Sequence, residues 1–388
     1  MTVLEVTAVP FTPAHRGGGE SYPWRLAREL ARYEDVISCF SSDGPVPGTE
    51  TPVRMIPGRF VDLPPFLSVH NPLPTPATFR AMTEALLDPG HDVEFLHVHN
   101  LRTAMSTAWL LQARRLKSRR RFKVVLTDHN AHWFPFPALT ASCADYYAPV
   151  SEESVASLNS IACRPSVVIP PGVPSDYPAL STPPRPFEAR DIDLVFFGRI
   201  APWKRPDLVL RLAHDLGAST GGPVRAAIAG SEVDPGFTLW LRGEAARLGL
   251  GDSVKFVLGP TEREAVGLLS RSKLHLLFSS KADAFGRTYG APELAPGTVV
   301  EAGACGTPSV CSELPGVRQQ VVTGRTGLVL PIEPWRPVVD QAQRLLCEPP
   351  AWAEMSSAVR EFVVRERTYG VLAQRFSEFL GQIREGGV

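Results

Sequence analysis

The chain has 388 residues, 44% of them apolar, with 40 Lys and Arg set against 40 Asp and Glu. That length and apolar share suit two domains of about 150 to 200 residues, each with its own core. The balanced charge excludes a general nucleic-acid binder, which carries a basic surplus, and no apolar run approaches the roughly 18 residues of a membrane span.

The six cysteines (Cys39, Cys143, Cys163, Cys305, Cys311, Cys347) form no C-x-x-C pair and mostly occupy apolar settings. They read as reduced, buried thiols in a cytoplasmic protein, not as a disulfide or zinc framework. The opening V-L-E-V-T-A-V has neither the charged n-region nor the h-region of a secretory leader. The 38 prolines cluster in connections and predict stiff loops.

Residues 3–9 suit a short buried parallel strand. Three successive glycines, Gly17 to Gly19, follow, and a helical pattern covers residues 22–33. Such glycines let backbone approach a ligand and the helix start offers N–H donors; a flexible turn is the plain alternative. Residues 36–40, 94–99 and 122–127 read as further strands with helices between. This alternation predicts a doubly wound parallel sheet, whose ligands gather at the carboxyl ends of its strands. His97 and His99 close one strand; Thr127, Asp128, His129 and Asn130 close another. A histidine there is more often a structural hydrogen bonder than a catalytic group, and His97 and His99 keep that reading.

Arg114, Arg115, Lys117, Arg119, Arg120, Arg121 and Lys123 form a basic run. It reads as a solvated helix end, with a patch for anionic lipid as the alternative. Residues 144–150 suggest another strand, followed by Ser151 as a helix N-cap. The Pro-rich, patternless residues 177–190 suggest a domain boundary.

Beyond it, residues 193–197 read as a strand and a helix begins at Pro206. Arg199 and Lys204 flank the intervening turn. Two cations at a strand's carboxyl end suit a diphosphate that gains charge as its bond to a sugar breaks; solvated surface cations are the alternative. Strands follow at residues 225–230, 254–257 and 274–278. Then come two carboxylates eight positions apart, Glu293 and Glu301, with Pro296-Gly297 between them. The pattern predicts a tight turn, a helix opening near Thr298 and a strand after Pro308. The first N–H groups of that helix suit an anion, and Glu301 could grip a neutral hydroxyl beside it. Two solvated acids on an ordinary connection are the alternative.

The stretch E-L-A-P-G-T-V-V-E-A-G-A-C-G-T-P resembles the E-x7-E signature of retaining nucleotide-sugar glycosyltransferases of the two-lobed GT-B fold, the family of glycosyl transferases group 1. The segments G-R-I…K-R-P-D, P-P-G-V and G-R-T-G are similar to further patterns of that family. The resemblance implies two Rossmann-like lobes facing a cleft. Residues 1–180 would form an acceptor-binding lobe, residues 181–366 a nucleotide-sugar lobe, and residues 367–388 a helix returning to the first. It implies transfer of a sugar from a nucleoside-diphosphate sugar to an acceptor hydroxyl with retained anomeric configuration. His129, Arg199, Lys204 and Glu293 take catalytic roles. Gly18, Gly19, Arg199, Lys204, Glu293, Pro296, Gly297, Thr298, Val299 and Glu301 bind the donor. No D-x-D-like motif stands at a strand end, so no metal is expected, and no cofactor besides the donor substrate. A sugar phosphorylase-like enzyme on the same fold, or a non-catalytic sugar- or nucleotide-binding protein, are the rival readings. Asp283, in D-A-F-G, competes with Glu293 for the first acid; spacing to Glu301 favours Glu293, placing Asp283 on an inserted loop near the acceptor or in solvent.

Overall fold

The computed structural model describes residues 2–7, 18–41, 53–57, 60–61, 73–74, 76–100, 103–129, 137–290 and 293–387. The chain divides into two compact units, Met1–Pro171 with Tyr369–Val388, and Gly172–Thr368. The division falls upstream of the Pro-rich segment, because Tyr177, Ala179 and Arg190 are buried within the second unit.

The strands of the first unit are β1 (Thr2–Thr7), β2 (Asp35–Ser41), β3 (Arg54–Pro57), β4 (Phe60–Val61), β5 (Leu73–Pro74), β6 (Val93–Asn100), β7 (Lys123–Asp128) and β8 (Tyr146–Tyr147). Six of them form a parallel sheet in the order β3-β2-β1-β6-β7-β8, while β4 and β5 pair antiparallel. Its helices are α1 (Gly18–Leu30), α2 (Pro76–Leu87), α3 (Thr103–Leu116), α4 (Pro137–Cys143) and α5 (Glu152–Asn159). Strand alternation sends Leu4 and Val6 into a core with Leu96, Val98, Trp109 and Leu126, leaving Glu5 on the opposite face. Ser151 caps α5, its side chain accepting from the Ser154 N–H. The strand expected over residues 144–150 shrinks to Tyr146 and Tyr147, the edge residues that pair with β7.

The second unit repeats the plan with β9 (Ile192–Phe197), β10 (Ala226–Gly230), β11 (Val254–Leu258), β12 (Ser272–Leu277), β13 (Ser309–Ser312) and β14 (Gly327–Leu330). Their order is β11-β10-β9-β12-β13-β14. Around this sheet lie α6 (Pro206–Thr220), α7 (Pro235–Arg247), α8 (Glu262–Ser270), α9 (Gly297–Ala304), α10 (Pro315–Arg318), α11 (Arg336–Cys347) and α12 (Pro349–Glu366). Leu194 and Phe196 of β9 enter one core and Val195 the other, so both faces of this sheet are covered. The last helix, α13 (Tyr369–Glu385), belongs to the first unit, where Arg384 pairs with Glu34 and Glu94.

Among the described residues, no helix is long and apolar enough to cross a membrane. Cys143, Cys305 and Cys311 are buried as free thiols, whereas Cys163 and Cys347 are exposed, contrary to a uniformly buried set.

Candidate functional sites at the two sheet switch points

In each sheet the strand order reverses once, between β1 and β6 and between β9 and β12. The loops leaving such a pair diverge and open a crevice at the carboxyl ends. Polar side chains collect at both places.

In the second unit, the end of β10 approaches the end of β9 closely. A Cβ on Gly230 would lie 1.6 Å from the Gly198 carbonyl oxygen, so only glycine permits it. After Gly198 the chain makes a single 3-10 turn, Pro202–Lys204, which turns Lys204 inward. Lys204 is 7% exposed and Glu293 9%. The Lys204 Nζ is ion-paired with Glu293 Oε1, and the Ser279 hydroxyl donates to that same oxygen at 2.7 Å. The Lys204 stem and the Thr298 methyl both approach the Gly198 Cα, 3.9 and 3.7 Å from where a Cβ would stand. The end of β9, Lys204 and the first turn of α9 therefore converge. Pro296 caps α9 without a side-chain hydrogen bond, so no cap side chain engages its leading N–H groups. Gly316 holds the preceding segment in place: any Cβ there would sit 2.1 Å from the Leu294 carbonyl oxygen.

Of the residues expected to bind a donor, this unit brings Lys204, Glu293, Thr298 and the α9 start together. Val299 and Pro296 are buried, and Glu301 is partly exposed on α9. Arg199 is exposed, its guanidinium 6.0 Å over the Trp203 ring. Ser279 was not singled out from sequence; its position directly after a strand was the only signal.

Asp283 does not lie in solvent. It is 5% exposed and closes its own loop. Its Oδ1 accepts the N–H groups of Phe285 and Arg287, and its Oδ2 accepts from Arg287 Nε and the Tyr289 hydroxyl. Burial opposes ionisation, but these donors outweigh it and hold the carboxyl below its ordinary range. With every lone pair so engaged, Asp283 is a loop fastener. Asp283→Ala is expected to lower the melting temperature while changing turnover less than about 5-fold at saturating donor, a limit of roughly 1 kcal/mol. Complete loss of turnover in a folded variant would return it to the site.

In the first unit, Gly18 and Gly19 open α1 as its first helical residues; the loop before them lies outside the described residues. The β1–β6 register places Glu5 opposite His97 and Thr7 opposite His99, and β6–β7 places His99 opposite Thr127. Glu5, His97, His99 and Thr127 are all 0% exposed. His97 Nδ1 lies 2.9 Å from Glu5 Oε1 and His99 Nε2 2.6 Å from Glu5 Oε2. His97 Nε2 is 2.7 Å from Thr127 Oγ1, and His99 Nδ1 is 3.4 Å from His129 Nε2. Tyr22 packs edge-on against His99 and His129, and Phe376 covers His97. Ligand-type atoms of Glu5, His97 and His99 fall within 4.8 Å of one another. The Glu5–His97 and Glu5–His99 distances are those of hydrogen bonds, with a proton between the partners of each. Sequence reasoning passed over Glu5; its signal was a carboxylate midway along an apolar strand.

Burial alone would raise the Glu5 pKa, but the charges and hydrogen bonds of His97 and His99 prevail and bring it to about 2. Burial, then the His97 charge, brings His99 down to about 4. Burial with the charges of His99 and His97 pushes His129 well below the ordinary imidazole range. A folded-state pKa below the unfolded one makes the unfolded chain the better proton acceptor. The His99 contribution is therefore complete above 6.5 and lost as pH falls toward 4. That of Glu5 is complete above 4.5 and lost toward 2. The first unit should melt at progressively lower temperature below pH 6.5; a melting temperature flat from pH 7 to 4 would contradict this.

Two parallel α/β units, each with polar groups at its switch point, define the GT-B class of glycosyltransferase fold. Residues 183–362 match the family Glycosyl transferases group 1 and residues 16–177 match Glycosyltransferase Family 4. A stretch of 140 residues is 34% identical to the D-inositol 3-phosphate glycosyltransferase of Mycobacteroides abscessus, covering 36% of this chain and 28% of that one. A stretch of 197 residues is 29% identical to the enzyme of that name from Mycobacterium bovis, covering 49% and 38%. The matched stretches thus span only about a third of those curated relatives. Among solved structures, the chain resembles sucrose-phosphate synthase from Thermosynechococcus elongatus (TM-score 0.70, 17% identity, 100% of both chains). It also resembles HepE of Anabaena in complex with UDP and glucose (TM-score 0.68, 16% identity, 98% and 100%).

Proposed function

We propose that this protein transfers a sugar, a hexose or close relative, from a nucleoside-diphosphate sugar to an acceptor hydroxyl, with retention at the anomeric carbon. The observation that carries the reading is the buried Lys204–Glu293 pair beside the α9 start, at the second unit's switch point. Lys204, Arg199 and the first N–H groups of α9 neutralise the diphosphate as its bond to the sugar breaks. Glu301 accepts hydrogen bonds from the ribose hydroxyls, and Glu293 from the sugar. In this reading those cations and N–H groups take the place of a metal ion, and no cofactor is needed beyond the donor. The first unit serves the acceptor, and His129 keeps the catalytic role that the resemblance implies.

A thermal-shift screen of the full chain against UDP, GDP and ADP and their sugars tests the reading. UDP leads the panel because HepE binds it, and D-inositol 3-phosphate is an acceptor to include. Stabilisation by one diphosphate, lost in Lys204→Ala, is expected. No shift with any of them would overturn the proposal.

Membrane contact is not part of this reading. Lys117 pairs with Asp145, Arg120 donates to the Asp88 carbonyl and Lys123 to the Ile383 carbonyl, which leaves Arg114, Arg115, Arg119 and Arg121 as the exposed cations of the run. The protein should stay in the supernatant with anionic vesicles at physiological salt; salt-sensitive co-sedimentation would point to a lipid-linked acceptor.

A further inference from the structure

The hydrogen bonds behind His129 determine where each proton lies. The Thr127 hydroxyl donates to the Ala148 carbonyl oxygen at 2.7 Å, and that oxygen can only accept. Its single proton is thereby used, so Thr127 Oγ1 must accept from His97 Nε2, 2.7 Å away. On its other side His97 Nδ1 faces the Glu5 carboxylate, which also only accepts. Both His97 nitrogens are donors, and His97 is the imidazolium partner of Glu5. His99 Nε2 likewise donates to Glu5 Oε2. A neutral His99 then offers the Nδ1 lone pair, and the nitrogen facing it, His129 Nε2, must carry a proton. The chain Glu5–His99–His129 thus fixes a tautomer at its far end. The buried members are 0% exposed, whereas His129 retains exposed surface, at the carboxyl end of β7.

We infer that Glu5, His97 and His99 are positioning residues that hold His129 as a neutral imidazole protonated at Nε2, presenting its Nδ1 lone pair to a substrate hydroxyl. The inference rests on the transferase reading for the identity of that hydroxyl, which belongs to the sugar or its acceptor. A lone pair at that nitrogen accepts a hydrogen bond and orients the hydroxyl, and can hold its proton transiently. The opposite tautomer would present an N–H and repel the hydroxyl's proton. An imidazolium would do the same, and the His97 charge opposes one. Among the described residues, the other titratable groups packed near these imidazoles include Tyr22 of α1, whose hydroxyl donates to the Ile169 carbonyl, Tyr369 of α13, which packs on Tyr22, and Asp128 of β7.

Long-range proton–nitrogen NMR of the 15N-histidine-labelled full chain at pH 7 reads the tautomers directly. The expected spectrum has His129 protonated at Nε2 alone and His97 protonated at both nitrogens. His129 protonated at Nδ1, or a neutral His97, would overturn the inference. So would about one equivalent of tightly bound zinc that is lost in His97→Gln. Glu5→Gln adds a kinetic readout. Its amide cannot accept from both imidazoles, so His97 should lose its second proton and His129 become a mixture of tautomers. The kcat should fall about 10- to 100-fold with the donor KM within about 2-fold, and its pH profile should move. A folded Glu5→Gln protein with unchanged His129 signals and unchanged kcat would refute the role. Should that variant not fold, the wild-type spectrum still decides, and Thr127→Val, which removes the acceptor of His97 Nε2 together with the donor to the Ala148 carbonyl, repeats the test. The expected tautomers in a protein that transfers no sugar would refute the transferase reading alone; transfer with His129 protonated at Nδ1 would refute the positioning chain alone.

Discussion

Glu293→Ala is expected to lower sugar transfer about 100- to 1,000-fold, or roughly 3–4 kcal/mol, while nucleoside-diphosphate affinity is kept or improved. Two effects combine. The sugar loses its acceptor carboxylate, so transition-state positioning fails. The Lys204 ammonium, 7% exposed, loses its only charged partner among the described contacts. Removing one member of a buried pair typically costs about 3–5 kcal/mol, so the second unit should melt markedly lower. A diphosphate would supply the missing anion, and should therefore raise the melting temperature of Glu293→Ala more than that of the wild type. Lys204→Ala should lose both transfer and diphosphate binding. The Lys204→Met, Glu293→Leu double variant should be less destabilised than the sum of the single variants, because it leaves no lone buried charge. Additive losses in differential scanning calorimetry, with equal diphosphate shifts in all forms, would contradict the coupling.

The second large effect concerns Arg190. This side chain is 2% exposed, and none of its hydrogen-bond acceptors is a carboxylate. Its guanidinium donates to the carbonyl oxygens of Arg185, Ser272, Cys305 and Gly306 and to Thr307 Oγ1. It also stacks 4.6 Å over Trp352. Burial draws its pKa down to about 10, so it stays a cation near neutrality. The fork thus fastens the chain after α9 to the start of β12. Arg190→Met would remove the guanidinium donors of the Ser272 and Cys305 carbonyls and of Thr307 Oγ1, while the Gly306 carbonyl keeps the Ser356 hydroxyl, and Arg190→Lys has too few donors in the wrong geometry. Each is expected to cost about 3–5 kcal/mol, read as a large fall in the urea midpoint. An unfolding free energy within about 0.5 kcal/mol of wild type, the spread of neutral surface changes, would contradict this.

Arg190 also shows what the sequence concealed. It lies in a Pro-rich stretch without periodicity, and nothing local says that most of its partners are more than 70 positions away. The strands were legible because both sheets are parallel and covered, which makes each strand a short apolar run. The α9 start was legible from Pro296-Gly297 and from the spacing of Glu293 and Glu301. Pairing Lys204 with Glu293 was not, since it depends on strand order and on the 3-10 turn after β9. Asp283 stood as a rival to Glu293 because in one dimension it is simply another carboxylate ahead of Glu301; only folding shows it consumed by its own loop. The Glu5 network was hidden for a similar reason. A histidine pair at a strand end carries no mark of the carboxylate on the neighbouring strand.

The proposed same-face transfer from a nucleotide sugar can be measured without knowing the acceptor. Incubated with a nucleotide sugar that it cleaves and water as a slow acceptor, the 388-residue chain should release a sugar whose first-formed anomer matches the donor, followed by proton NMR before mutarotation. Lys204→Ala should suppress the release about 100-fold, or roughly 3 kcal/mol. First appearance of the opposite anomer, or no cleavage of any nucleoside-diphosphate sugar by a folded protein, would contradict it.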